Sequence, residues 1–185
     1  MIYSWKNIVK HGLPLLTVCV LIEIIAGQIL QINQDLLVSL FPIFLVSIPV
    51  INSVGGNIGS ILGARLASGL HVGTITLSVK DKKMQENLFT AILIGFITYG
   101  VLAILIYFIA VFGGLVEEIG LTKFVSILLG TGVLLVLVIS FVSVATALWS
   151  FKQGLDPDDM VAPVVTTFGD VVGILFLFLF IGVVV

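Results

Sequence analysis

Cysteine, histidine and charge are the scarce residues of this chain. Its single cysteine, Cys19, excludes an intrachain disulfide, and the two histidines supply no partner to it at metal-ligand spacing. Cys19 therefore reads as a small lipid- or core-facing residue. Charged side chains make up only 10% of the 185 residues, where soluble domains carry about a quarter. The eight basic residues form no stripe suited to neutralising successive phosphates, so nucleic acid is not an expected partner, and the net charge of −2 points to no other. Low-complexity tracts and internal repeats are missing as well, which leaves one domain over residues 1–185.

What fills the chain is apolar. Hydrophobic residues make up 59% and the mean hydropathy is +1.31. Runs of about 18 or more apolar residues mark helices that cross a bilayer, and five regions qualify, at about 12–30, 36–72, 88–112, 124–150 and 160–185. The fold class is thus an all-α integral membrane protein with five transmembrane helices. Lys6 and Lys10 before "LPLLTVCVLI" imitate a secretory signal, but Glu23 and the lack of an A-x-A pattern make the first segment a retained helix. Counted by alternate connections, Lys6, Lys10, Lys80, Lys82, Lys83 and Lys152 fall on one side and Lys123 alone on the other. Positive charge stays inside, so a cytoplasmic N-terminus, an external C-terminus and a place in the cell membrane are expected. The connections "QINQD", "KDKKMQEN", "GGLVEEIGLTK" and "KQGLDPDD" are short and polar.

The second region is too long for one crossing. Pro42 and Pro49 each remove a backbone donor, and Gly55, Gly56 and Gly59 follow, so a kinked or interrupted helix is expected there. Gly55, Gly59, Gly63 and Ala67 form one i, i+4 row beside a second of Gly56, Ser60, Ala64 and Ser68, the pattern that lets membrane helices approach closely. Close packing does not account for Asn52, Ser53 and Asn57. Unsatisfied amides in hydrocarbon cost several kcal/mol each, roughly, so these side chains point toward protein or water.

The fifth region opens on a helix start: Asp156 at the N-cap, Pro157 at the first position, Asp158 and Asp159 in the first turn. Capping explains these carboxylates, and weak cation attraction at a mouth is the further role open to Asp156 and Asp159. Asp170 has no such explanation. It lies roughly 15 Å beyond Met160 at 1.5 Å per residue, near the middle of the hydrocarbon, where an aspartate costs at least about 2.5–3.5 kcal/mol. It needs water, a cation or a basic partner, and Arg65 is the one intramembrane base. Pro163 frees a carbonyl beside it and is expected to kink or interrupt the fifth helix as well, and Thr166 and Thr167 add hydroxyl oxygens within a turn. Oxygen ligands suit hard cations such as magnesium or calcium. Glu23, mid-way along the first span, has three roles open: lining a pathway, pairing with Arg65, or titrating as a proton-coupling group. Ser140, Ser143, Thr146 and Ser150 are expected to bond back to helix carbonyls or across a helix interface.

Two blocks, "PVINSVGGNIGSILGARLASGLHVG" and "LDPDDMVAPVVTTFGD", carry a family likeness. In the second and fifth of five spans they resemble the membrane domain of MgtE-type magnesium transporters, more closely the solute-carrier 41 branch. The resemblance implies five helices per repeat, a homodimer, and a pore between subunits lined by the second and fifth helices. By motif match, Asp170 corresponds to the family's cation-binding aspartate and Asn57 to its pore asparagine, with Gly56 beside it. Eukaryotic relatives carry two such repeats and this chain one, so a dimer would complete the pore. Bacterial relatives carry sensing domains ahead of the membrane part, and about ten residues precede the first span here, so their gate is not carried over.

The resulting expectation is a homodimer that moves a divalent cation, magnesium first, with Asp170 as main site, Asn57, Thr166, Thr167 and Gly56 around it, and Glu23, Asn52, Arg65, Asp156 and Asp159 along the pathway or at its mouth. No cofactor and no enzymatic role are expected. A sodium- or proton-coupled exchanger and a non-conducting membrane subunit are the alternatives. An intramembrane aspartyl protease would require a second carboxylate sharing a proton with Asp170, and Glu23 is the one other acid within a span.

Overall fold

The computed structural model describes residues 5–40, 42–114 and 119–185, with the side chains of 5–8, 11, 39 and 40 outside that description. Lys6's side chain and the centre of the expected connection "GGLVEEIGLTK" therefore lie outside the described residues. Five long helices account for most of the rest: α1 (Trp5–Ile32), α2 (Pro42–Val72), α3 (Lys82–Phe112), α4 (Leu121–Lys152) and α5 (Pro157–Val184), with a π-helical turn at Leu36–Leu40 ahead of α2. All five are long and apolar enough to cross a membrane. Helix α3 starts six residues ahead of its apolar run, because the side chain of Asp81 caps it there.

The expected irregularity of the second region takes a different form. The π-helical turn divides 36–72, and α2 then runs helical from Pro42 to Val72 without interruption at Gly55, Gly56 or Gly59. At 1.5 Å per residue its 31 residues span roughly 46 Å against about 30 Å of hydrocarbon, so the helix projects from the bilayer. Lipid offers the backbone no alternative hydrogen-bond partners, so glycines that weaken a helix in water leave this one intact. Pro49 in α2 and Pro163 in α5 likewise lie inside their helices. At Gly73, with φ +75°, the chain turns out of α2, and the amides of Thr74 and Ile75 both donate to the carbonyl of Gly69.

The glycines of α2 are where neighbours press in. A Cβ on Gly55 would stand 2.7 Å from Leu135 of α4, one on Gly59 would collide with Ile139 of α4, and one on Gly63 would collide with Val161 of α5. In the second row Gly56 meets Thr166, while Gly169 of α5 in turn faces the backbone nitrogen of Gly56. As residue numbers rise along α2 their partners fall along α5, so the two helices are antiparallel. Two hydrogen bonds tie α2 to its other neighbours: Ser143 of α4 donates to the carbonyl of Gly59 at 2.9 Å, and Tyr99 of α3 donates to that of Ile51 at 2.6 Å. Of the other α4 hydroxyls, Ser150 bonds back to Thr146, whereas buried Ser140 has no protein partner.

α5 touches α1, α2 and α4, and among the described residues α1 packs on α5 alone. Cys19 donates to the carbonyl of Pro163 at 3.7 Å and Thr167 donates to Glu23 at 3.1 Å, so both partners advance by four and α1 runs parallel to α5. The N-terminal ends of α1, α3 and α5 and the C-terminal ends of α2 and α4 then share one face. His71 and Asp156 meet there at 3.5 Å.

Asp81 starts α3. Its carboxylate accepts from the amide and hydroxyl of Thr76 at 3.0 and 2.9 Å and from the amides of Lys83 and Met84 at 2.9 and 3.2 Å. The Thr76 amide, followed by the other donors, holds its pKa below the ordinary aspartate value.

Two outcomes follow from this packing. Gly59→Val lowers the thermal midpoint in detergent, by an overpacking cost of about 1–3 kcal/mol, while Gly27→Val, on α1 with no neighbour within 4 Å, leaves it unchanged. The cap's contribution is complete above the unfolded aspartate pKa of about 4 and is lost as pH falls through the lower folded value. Amide exchange at Lys83 and Met84 therefore accelerates in Asp81→Ala at pH 7, and parent and variant converge once the carboxylate is protonated.

Candidate cation site on α5

The seam between α2 and α5 determines which side chains meet around Asp170. Gly173, one turn further along α5, leaves room for Asn52: a Cβ there would strike the Asn52 carbonyl oxygen. The Asn52 amide donates to the main-chain carbonyl of Asp170 at 3.4 Å, and its own oxygen is buried without a protein donor. On the other flank Glu23 of α1 lies near enough to Asp170 for their charges to interact. α1 and α2 do not touch each other among the described residues. Half-buried Asp170 thus occupies the strip of α5 left open between them, with exposed Thr166 one turn before it.

The remaining side chains have distinct positions. Thr166 donates back to Ala162 at 2.9 Å and Pro163 at 3.1 Å, so it offers this strip an oxygen rather than a proton. Thr167 is buried and holds Glu23. Asn57 is exposed, and its amide reaches Ser53 one turn back at 3.5 Å. Asp156 caps α5 by accepting from the amide of Asp158 at 3.1 Å and faces His71, as the helix-start pattern implied. Asp159 is exposed in the first turn.

Arg65 does not join this group. It lines a groove between α2 and α3 with Lys83 and Glu86, so the pairing with Glu23 and the reach to Asp170 are not made. The arginine is two turns from the end of α2, on the side facing α3 rather than α5. Among the described residues the recorded ion pair is His71–Asp156, and no three Asp, Glu, His or Cys side chains gather as a metal-holding group. Sequence reasoning missed the Thr167–Glu23 bond, since nothing local marks two residues 144 positions apart as neighbours.

The family model for the MgtE divalent cation transporters matches residues 48–180, from the last turns before the glycine rows to near the end of α5. The chain belongs to the MgtE family. Neither curated proteins nor solved structures give a match. Membership makes this five-span membrane protein a member of a family of divalent cation transporters, magnesium among their ions, rather than of enzymes. The match takes in Asp170, Asn57, Thr166, Thr167 and Gly56 and leaves α1, with Glu23, outside it.

The Thr167–Glu23 bond gives this MgtE-family chain a test with a built-in reporter. Cys19 is 7% exposed beneath the α1–α5 contact and is the sole cysteine. Leaving one partner of such a hydrogen bond unsatisfied costs about 1–3 kcal/mol. Thr167→Val therefore raises the rate of Cys19 alkylation by a membrane-permeant maleimide about tenfold, whereas Phe168→Val, at an exposed position, leaves it unchanged.

Proposed function

We propose that two copies of this chain form a pore for divalent cations, magnesium foremost, with Asp170 of each copy at its constriction. The observation that supports this most strongly is a half-buried carboxylate on the open strip of a membrane helix, without an ion pair among the described residues. A lone carboxylate in hydrocarbon is costly, and a passing cation offsets that cost. One chain supplies too few acids for a closed metal cage, whereas a two-fold pair would bring two Asp170 carboxylates to one place. Magnesium keeps most of its waters, so the site needs acceptors around a hydrated ion more than direct ligands. Thr166 and Asn57, both exposed beside the α2–α5 seam, fit that need. Gly56 keeps Thr166 close, and Asn52 holds the α5 backbone at Asp170. Exposed polar groups on apolar helices also favour a partner or water over lipid at this face.

In this reading α2 and α5 line the pore, with any bend at Pro49 or Pro163 shaping it, and the whole chain is one transmembrane domain of the solute-carrier 41 type. The lysine-rich face lies in the cytoplasm of a cell-membrane protein, and Asp156 with Asp159 attracts cations to that mouth. A coupled exchanger is a second reading with its own support: Glu23 and Asp170 in one opening are two acids, enough to hold a cation and a proton by turns.

Purified protein in liposomes loaded with a magnesium-sensitive dye tests both. Asp170→Asn reduces flux at least about tenfold, the loss of a charge that faces the ion being worth about 1.4 kcal/mol or more. Equal flux from variant and parent sinks the pore, and no flux from the parent makes the chain a non-conducting subunit. Flux that vanishes without a pH or sodium gradient establishes the exchanger.

A further inference from the structure

The groove that receives Arg65 is amphiphilic in plan. It has a volume of about 710 Å³, and Ile61, Ala64, Arg65, Ser68 and Val72 of α2 face Lys83, Glu86 and Asn87 of α3 across it. Beside Arg65 and Asn87 lies a small recess of about 30 Å³ between the same helices, walled by Ile58, Ile61, Leu62, Ala91 and Ile94. Polar donors and apolar walls thus meet in one groove, and the recess shares Ile61, Arg65 and Asn87 with it.

The charges at the mouth need an anion. Arg65 is exposed on an apolar helix and makes no ion pair among the described residues, and Lys83 stands opposite it. Glu86 leaves the lining one positive charge in excess. Asn87 spends an amide proton on the carbonyl of Lys83 at 2.8 Å and Thr74 its hydroxyl on that of Gly69 at 3.3 Å, so the two cations are the principal donors. Arg65 lies about 10 Å from the Val72 end of α2 at 1.5 Å per residue, the depth at which long basic side chains reach lipid phosphates.

We propose that this groove binds the phosphate headgroup of an anionic membrane lipid, whose acyl chains stay in the surrounding bilayer. The guanidinium would take two phosphate oxygens in its planar fork while the lysine supplies a point charge. Zwitterionic lipids carry their own cation and would gain less from the excess charge. This site is separate from the α5 strip and does not depend on the transport reading.

Native mass spectrometry of the full chain in detergent tests the proposal, with phosphatidylglycerol, phosphatidylcholine and inorganic phosphate as probes. Phosphatidylglycerol should remain bound at one per chain where phosphatidylcholine does not, and millimolar inorganic phosphate should fail to displace it. Arg65→Gln and, independently, Lys83→Gln should each lower its occupancy about tenfold, with circular-dichroism melts confirming that the variants fold. Lys152→Gln, at the same end of the bundle outside the groove, should bind as the parent does. Equal retention of the two lipids, occupancy unchanged in folded Arg65→Gln and Lys83→Gln, or displacement by inorganic phosphate would overturn it. So would an Arg65→Gln variant that loses dimers while keeping the lipid, because the groove would then be a subunit contact.

Discussion

The close approach of α2 and α5 is the constraint on which the rest of this molecule depends. Lipid tails are as apolar as leucine, so helices in a bilayer gain little from burying hydrocarbon and associate through dispersion contacts and interhelical hydrogen bonds. The glycine rows allow that contact. Gly59 and Gly63 receive Val165 and Val161, Gly56 receives Thr166, and Gly173 receives the Asn52 amide. Every one of these contacts also fixes the rotation of α5 about its axis. That rotation decides whether Asp170 looks into the bundle, into lipid, or along the open strip beside α1. A packing device therefore sets the position of a charge, and the two roles of the glycine-rich segment are one.

Much of this was legible in the residues and some was not, for physical reasons. Apolar length alone reveals the five spans, because the hydrocarbon thickness is fixed. The start of α5 follows from local chemistry at Asp156 and Pro157, whose hydrogen bonds reach only a few residues. The start of α3 had an equally local signal in Asp81 but lies six residues ahead of the apolar run, so a reading by hydropathy passes over it. Gly55, Gly56 and Gly59 suggested a break because glycine weakens helices in water; in lipid the same residues accept bulky neighbours and the helix continues. Partners across helices were the least legible. Glu23 could have met Arg65 by charge, yet it meets Thr167, since the parallel docking of α1 on α5 decides its neighbours before electrostatics can choose among them.

The family match and the geometry divide the chain in complementary ways. Residues 48–180 contain the glycine seam, Asp170 and the groove around Arg65, whereas α1 lies outside. Carboxylates and oxygens occupy the α5 strip, and cations occupy the groove between α2 and α3. Opposite signs of charge are thus held on different flanks of α2, which keeps Arg65 from neutralising Asp170 within the same chain. An acid left without such a neighbour stays available to an ion from outside.

The docking of α1 on α5 alone, among the described residues, also bears on how the molecule is assembled. Its hydrogen-bonding partners come 144 positions later in the chain. At a synthesis rate of about 5–20 residues per second, α1 waits roughly 7–29 s for the helix it docks on. During that interval Glu23 has no Thr167 hydroxyl from which to accept a hydrogen bond. Helix α1 consequently settles only after the other four helices have left the ribosome.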